Sequence, residues 1–495
     1  MGRGALRRNL ASRTRPLQPT GCEEEKTEFG ELLNRIFEAE ERRNNLYPAP
    51  DAHSTEDQTT HHSPTPAHVG TFITADYRNK ISSQLITPIY HHRSRFSSVV
   101  PTQHQHAALL MSRPLIRIPF TGPLPPPLIY PRSANSISGA IDAISNFLTA
   151  PPPPLLRGTD VGRNELTVLL TGAGISVASG LADYRGENGT YRRNLTYRPI
   201  FYHEFVSQHE ARKRYWARSF VGWPTLVNSK PNDTHAAIGE LGGKGYISSV
   251  ITQNVDSFHS KAHPHIPVVE LHGYLRSLVC VNCRRPMSRE DFQAVLLRLN
   301  PAWAEFLEQI AKTGALDTHD REEQQKKGLQ MNPDGDVDLP NAPYSKFRYP
   351  PCPHCLENPP LLRDGTQGRV EAEPDGAISP TSNAGILKPA VIMFGESVDE
   401  RVKEQAEDAV DEAGKLLVLG SSLATFSAWR FVERAIARGM SIGILNVGGV
   451  RNEARLFQEA DGNGFIDPTM RVRCSERAEF VLPQVAAHLD PVSLV

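Results

Sequence analysis

Between residues 166 and 446 the chain alternates two rhythms. Short apolar runs recur at Leu166–Leu170, Tyr246–Thr252, Val268–Leu271, Ala390–Phe394, Leu416–Leu419 and Ile442–Asn446, and each reads as a buried strand. Helical spacing lies between several of them, at Val402–Ala413 and Ala428–Arg438. Strands alternating with helices predict a parallel α/β sheet. Upstream, Ile137, Ala140, Ile141, Ile144, Phe147 and Leu148 keep one helix face, with Asn135 or Ser136 as N-cap. Far ahead of that body, Phe29, Leu32, Leu33, Ile36 and Phe37 repeat at i, i+3, i+4, i+7 and i+8. That stripe predicts an isolated, solvated helix, with a partner helix as the alternative. Residues 44–110 are rich in His, Thr, Ser and Pro, lack periodicity and read as disordered. From Pro101 to Pro154 lie 12 of the 40 prolines, so Pro123-Leu-Pro-Pro-Pro127 and Pro151–Pro154 read as stiff spacers. The stretch from Cys280 to Gly385 breaks the α/β rhythm and reads as a module inserted into the body. Its charged part, Asp317–Asp338, is expected to be surface loop.

Composition changes this picture little. The 495 residues suggest about three domains by length. Lys and Arg number 54 against 55 Asp and Glu, a net charge of −1, which argues against a globally basic nucleic-acid binder. No uncharged apolar run reaches the ~18–20 residues needed to span a bilayer. The first 21 residues carry five arginines and no acid, a pattern shared by mitochondrial transit peptides and plain basic tails. Met111 is a candidate alternative start, which would place the protein in nucleus or cytoplasm instead. Of six cysteines, four form two pairs, Cys280/Cys283 and Cys352/Cys355, while Cys22 and Cys474 stand alone. Such usage indicates a reducing compartment and a metal site, not a disulfide framework.

The chemistry-bearing segments sit at strand ends. Thr171-Gly-Ala-Gly174 follows the first strand, and its glycines would let the backbone approach a pyrophosphate at a helix N-terminus; a plain glycine turn is the alternative. The run departs from G-x-G-x-x-G and lacks a downstream acidic partner, which disfavours an ordinary dehydrogenase. Thr252-Gln-Asn-Val-Asp256 and Glu270-Leu-His-Gly273 each follow a strand. The first could line a ligand or form an Asx turn, and His272 could be a general base or a structural histidine. Two C-x-x-C knuckles present four thiolates to one tetrahedral metal and leave no position for a reactive water, so a structural zinc ribbon is expected. The 68 residues between the knuckles imply a long insertion in that ribbon. Lys388–Glu396, Gly420-Ser-Ser422 and Leu445-Asn-Val-Gly448 complete a set of polar strand ends, expected at one edge of one sheet.

Taken in order, Gly172-Ala-Gly-Ile-Ser176 with Asp183-Tyr-Arg-Gly186, Gln253-Asn-Val-Asp256, Leu271-His-Gly273, the two knuckles, Phe394-Gly-Glu396, Gly420-Ser-Ser422 and Asn446-Val-Gly448 resemble the sirtuins. Arg214-Tyr-Trp-Ala-Arg218 with Gly222-Trp-Pro224 is similar to the mitochondrial class II branch. Ala182 departs from the proline common at that position. The resemblance covers roughly residues 115–490. It implies a disordered or targeting extension over 1–110 and a catalytic domain over 111–495. Within the latter it implies a Rossmann-like lobe (135–275 and 386–490) and a zinc-ribbon lobe (276–385). It further implies NAD and an acyl-lysine protein or peptide bound between the lobes, with no membrane or direct nucleic-acid partner. Gly172, Ala173, Gly174, Ser176, Asp183, Tyr184 and Arg185 would hold the pyrophosphate and nicotinamide ribose. Gln253, Asn254, Val255 and Asp256 would line the nicotinamide and ribose pocket, with Asn254 and His272 catalytic and His272 the general base. Gly420, Ser421, Ser422, Asn446, Val447, Gly448 and Cys474 would hold the adenosine half. Val391, Phe394, Gly395 and Glu396 would receive the substrate peptide. The implied activity is NAD-dependent lysine deacylation, with mono-ADP-ribosyl transfer to protein as one alternative and a zinc-ribbon interaction or nucleic-acid module as another.

Overall fold

The computed structural model describes residues 28–46, 118, 122–151, 153, 166–194, 197–314, 329–457 and 467–492. The Arg-rich start, Cys22, Met111 and most of the low-complexity stretch lie outside them. Strands in chain order are β1 Thr167–Thr171, β2 Ile247–Thr252, β3 Val268–Glu270, β4 Gly273–Cys280, β5 Pro286–Ser288, β6 Gln330–Met331, β7 Val337–Asp338, β8 Leu387–Val391, β9 Lys415–Leu419, β10 Ser441–Leu445 and β11 Arg471–Cys474. Six of them form a parallel sheet in the order β11-β10-β9-β1-β2-β3. Central strands β1, β9 and β10 are buried along their whole length, which is why they read as unbroken apolar runs. The order reverses between β1 and β9, so the loops after these two strands open a crevice at their carboxyl ends.

Helices cover both faces of this sheet. Ile137–Thr149 packs one face with Ala478–His488 and begins at Ser136, whose hydroxyl accepts from the Gly139 amide. Glu400–Asp411 and Phe426–Ala437 cover the other. The sequence spacing found all of these but the last helix of the chain.

A second sheet, β5-β4-β8, is antiparallel and belongs to the smaller lobe. Three expectations change here. The run Ala390–Phe394 is not a strand of the main sheet: pairing starts earlier, at Leu387, and joins β4. The lobe also extends beyond 276–385, because Phe205, Trp216 and Phe220 pack into the same core as Phe292, Trp303 and Phe347. Asp317–Asp338 is likewise not simply surface loop, since its described part holds the β6–β7 hairpin, with Val337 buried.

The helix Glu28–Leu46 is not solvated. Leu33, Ile36 and Phe37 are buried in the small-lobe core, and Phe37 meets Trp303 edge to face at 6.3 Å. The Lys346 ammonium lies over the Phe37 ring at 5.1 Å and pairs with Glu41. Periodicity marked the apolar face of this helix, but it carries no information about where, some 260 residues downstream, its partner lies.

Candidate active site

A cavity of about 1130 Å³ lies at the switch between β1 and β9, with the small lobe as its other wall. Every residue expected to bind NAD or peptide lines it except Cys474. Cys474 is buried in the core at the end of β11, where burial pushes its thiol up to about 12. Only its carbonyl is near the site, accepting from the Asn446 amide at 3.2 Å.

The floor is backbone. The Gly172 amide donates to Leu419 O (3.0 Å) and the Gly174 amide to Gly420 O (2.9 Å), locking the two loops together. A Cβ at Gly172 or Gly174 would come within 2.8 Å of Gly420 or Ser421, so only glycine allows this approach. The segment that follows, Ala173–Ser179, is a seven-residue 3₁₀ helix and not the α-helical N-terminus that the sequence suggested. The cradle therefore rests on close backbone approach more than on a helix dipole.

Polar side chains from the loop after β2 converge on that floor. Gln253 donates to Ser421 Oγ at 2.8 Å and accepts from Thr425 Oγ1 at 3.2 Å. Asn254 is buried and donates to Gly172 O (3.1 Å) and Ser176 Oγ (3.2 Å). Ser176 donates to Asp256 Oδ2 at 2.7 Å. Burial raises the Asp256 carboxyl from its ordinary range, while hydrogen bonds from the Phe258 amide and Ser176 oppose the rise. The Asx-turn reading also holds, since Asp256 Oδ1 accepts from the Phe258 amide at 2.9 Å. One oxygen of this side chain caps the turn, and the other accepts from Ser176 at the cavity wall.

His272 stands between β3 and β4. Its Nδ1 is 3.0 Å from Gln253 O, an acceptor only, so Nδ1 carries the proton. Its Nε2 then accepts from Ser427 Oγ at 2.8 Å. Burial lowers the imidazole pKa, opposed by the Gln253 carbonyl, so the ring is held neutral with a basic Nε2. Its carbonyl accepts from the Ile392 amide at 2.8 Å, tying this histidine to the end of β8. From near the start of β8, the Lys388 side chain pairs with Glu396 at 3.0 Å in buried surroundings.

Sequence reasoning missed three contributors. Ser427, at the start of a helix, had no motif to mark it. Asp334 and Asp336 come from the β6–β7 hairpin of the insertion and line the cavity. The Tyr184 hydroxyl bonds Asp334, and Asp336 pairs with Arg218 at 2.8 Å. Tyr184 stacks on Tyr191 at 5.5 Å, with Arg185 over Tyr191 at 5.0 Å. Burial, with Asp336 alongside, pushes the Asp334 carboxyl up to about 6. The Asn332-Pro-Asp-Gly-Asp336 turn was the available signal, but turn chemistry does not say where a turn docks.

Away from the cavity, the sulfur atoms of Cys280, Cys283, Cys352 and Cys355 lie within 4.8 Å of one another. The pairs Cys280–Cys355 and Cys283–Cys352 are 3.6 and 3.7 Å apart. A tetrahedral ion with metal–sulfur bonds of about 2.3 Å has sulfur–sulfur edges of about 3.8 Å, so the cluster is sized for one such ion.

Comparison with known proteins gives a consistent set. The Sir2 family model matches residues 172–427. NAD-dependent protein deacylase SIR4 of Batrachochytrium dendrobatidis is 38% identical over 58% of this chain and 82% of its own. NAD-dependent protein deacetylase 2 of Bradyrhizobium diazoefficiens is 35% identical, over 59% of this chain and 87% of its own. NAD-dependent protein deacylase Sirt4 of Drosophila melanogaster is 35% identical, over 57% and 75%.

Proposed function

Given that the chain belongs to the Sir2 family, we propose that it is an NAD-dependent protein acyl-lysine deacylase. The observation that carries this reading is His272, with its proton fixed on Nδ1 and its basic Nε2 turned to the same cavity as the glycine cradle. The curated relatives are named deacylases and deacetylases, which favours this activity over ADP-ribosyl transfer to protein. The unit that acts is the two-lobed body together with the helix Glu28–Leu46 docked in its small-lobe core, and a mitochondrial location rests on the class II resemblance. Among the described residues no helix is long and apolar enough to cross a membrane.

The residues fit NAD: a glycine floor closed to any Cβ, with buried Asn254 pinned to Gly172 O and Ser176 Oγ and the half-buried Asp256 carboxylate beside it as an acceptor. When bound, NAD supplies an electrophilic ribose carbon as nicotinamide departs. Gly172 and Gly174 receive the pyrophosphate, and Gln253, Asn254 and Asp256 orient the nicotinamide end. Asn446, Val447 and Gly448 receive the adenosine. The edge at Val391–Phe394 pairs with an extended substrate, which directs the acyl-lysine inward. His272 Nε2 takes a ribose hydroxyl proton, with Ser427 and Gln253 O holding the ring in place. The four cysteines hold zinc as a structural ion, because all four positions of a tetrahedral site are filled by protein.

His272→Ala tests the assignment. Nicotinamide release coupled to acyl-lysine loss should fall by a factor on the order of 10²–10⁴, with fold and zinc content kept. Turnover equal to the parent protein would overturn it. An acyl panel on the parent protein then identifies the preferred acyl group.

A further inference from the structure

The proline-rich segment before the body is more than a spacer. Residues 122–130 run along the outer edge of the main sheet. Tyr130 exchanges backbone hydrogen bonds with Arg473 of β11, the Tyr130 amide donating at 3.0 Å and its carbonyl accepting at 2.6 Å. The Leu128 amide donates to Glu453 Oε1 at 2.7 Å. That same oxygen accepts from Arg473 Nε at 2.6 Å, in a pair whose side chains are 0% and 3% exposed. Arg473 in turn donates to Asn446 O at 2.9 Å and to Gly448 O, and Glu453 accepts from the Val450 amide at 3.0 Å. One buried ion pair therefore fastens both the segment and the 446–450 loop.

The two are in close contact. A Cβ on Gly449 would lie 1.7 Å from Pro125 O and 3.4 Å from the Leu124 side chain. Gly122 and Leu124 line the cavity at this end, beside Val447, Gly448 and Gly449. Val447 is 50% exposed, so an apolar surface is open to a flat ring there, and Leu124 adds a second. Prolines at 123 and 125–127 stiffen the segment, so holding it in place costs little chain entropy.

We propose that residues 122–130 are a strap that forms one wall of the adenosine subsite, with Leu124 contacting the adenine and the Leu128–Glu453 hydrogen bond setting its position. This rests on the reading of the cavity as an NAD site. Its role is in binding, not in the chemical step, because His272 and Asn254 serve the nicotinamide end of the cofactor.

The test is titration of the full chain with ADP-ribose, followed by calorimetry and independent of turnover. Leu124→Glu should weaken ADP-ribose binding about tenfold, the effect expected when one apolar wall contact is lost. Leu128→Pro extends the proline run, deletes the N–H that bonds Glu453, and should weaken binding similarly. In deacylation both variants should raise the KM for NAD and leave kcat and the KM for acyl-peptide within about twofold. Circular dichroism and zinc content identify any variant that fails to fold, and the other variant then decides. Parent-like ADP-ribose affinity in the folded variants would overturn the strap while leaving the NAD site standing. A parent protein that binds no ADP-ribose would overturn both.

Discussion

Replacing Asp334 by Asn should stabilise the protein at neutral pH and do so progressively less toward acid. Asp334 sits in the cleft against the Tyr184 hydroxyl, with Asp336 as its charged neighbour, and burial is the main cause of its raised pKa of about 6. In the unfolded chain the same carboxyl titrates near 3.8. Between these values the folded state holds a proton that the unfolded state has lost. Stability therefore falls as pH rises through that window and stays lower above it. The gap is worth about 3 kcal/mol. Asn keeps an oxygen for Tyr184 and removes the ionisation, so its own cost is independent of pH. Melting curves of both proteins from pH 4.5 to 7.5 read the effect. About 2 kcal/mol of that gap develops within this range, so the variant should gain on the parent by roughly 4 °C across the series, taking about 2 °C per kcal/mol for a body this large. A difference that stays flat over that range would refute the assignment of the penalty to Asp334.

Further outcomes follow from other contacts. Arg218→Met leaves Asp336 charged and buried without its partner, and should cost about 3–5 kcal/mol in urea unfolding. A loss under about 1 kcal/mol would contradict the buried pair. Phe37→Asp should undock the helix Glu28–Leu46, speeding tryptic cleavage at Arg35 and Arg42 and costing about 2 kcal/mol; parent-like cleavage would count against docking. Protein purified with zinc should carry one ion per chain by atomic absorption, and Cys283→Ser should release it and lower the melting temperature. A metal-free but stable parent would contradict the zinc reading.

What the sequence carried and what it hid divide along a physical line. Residues at strand ends were legible because the sheet itself decides where they go: once Leu416–Leu419 and Leu166–Leu170 are neighbouring parallel strands, Gly172 and Gly420 must meet. The knuckles were legible because metal geometry fixes their spacing. Asp334, Ser427 and Leu124 were not, since each reaches the cavity from an element whose docking depends on tertiary contact. The strand at Leu387–Val391 was misplaced for a related reason. Apolar runs of strands in the two sheets look alike, and only the pairing with β4 separates them.

The seated helix at Glu28–Leu46 also has a consequence in time. Phe37 and Trp303 are separated by 303 − 37 = 266 residues. At about 5–20 residues per second of synthesis, the helix is made roughly 13–53 s before its binding surface exists. During that interval Leu33, Ile36 and Phe37 have no native partner. The growing chain must shelter that stripe on the ribosome or with a chaperone. Removing residues 28–46 should then relieve nascent-chain dependence on such help while leaving the surface around Trp303 uncovered in the finished protein.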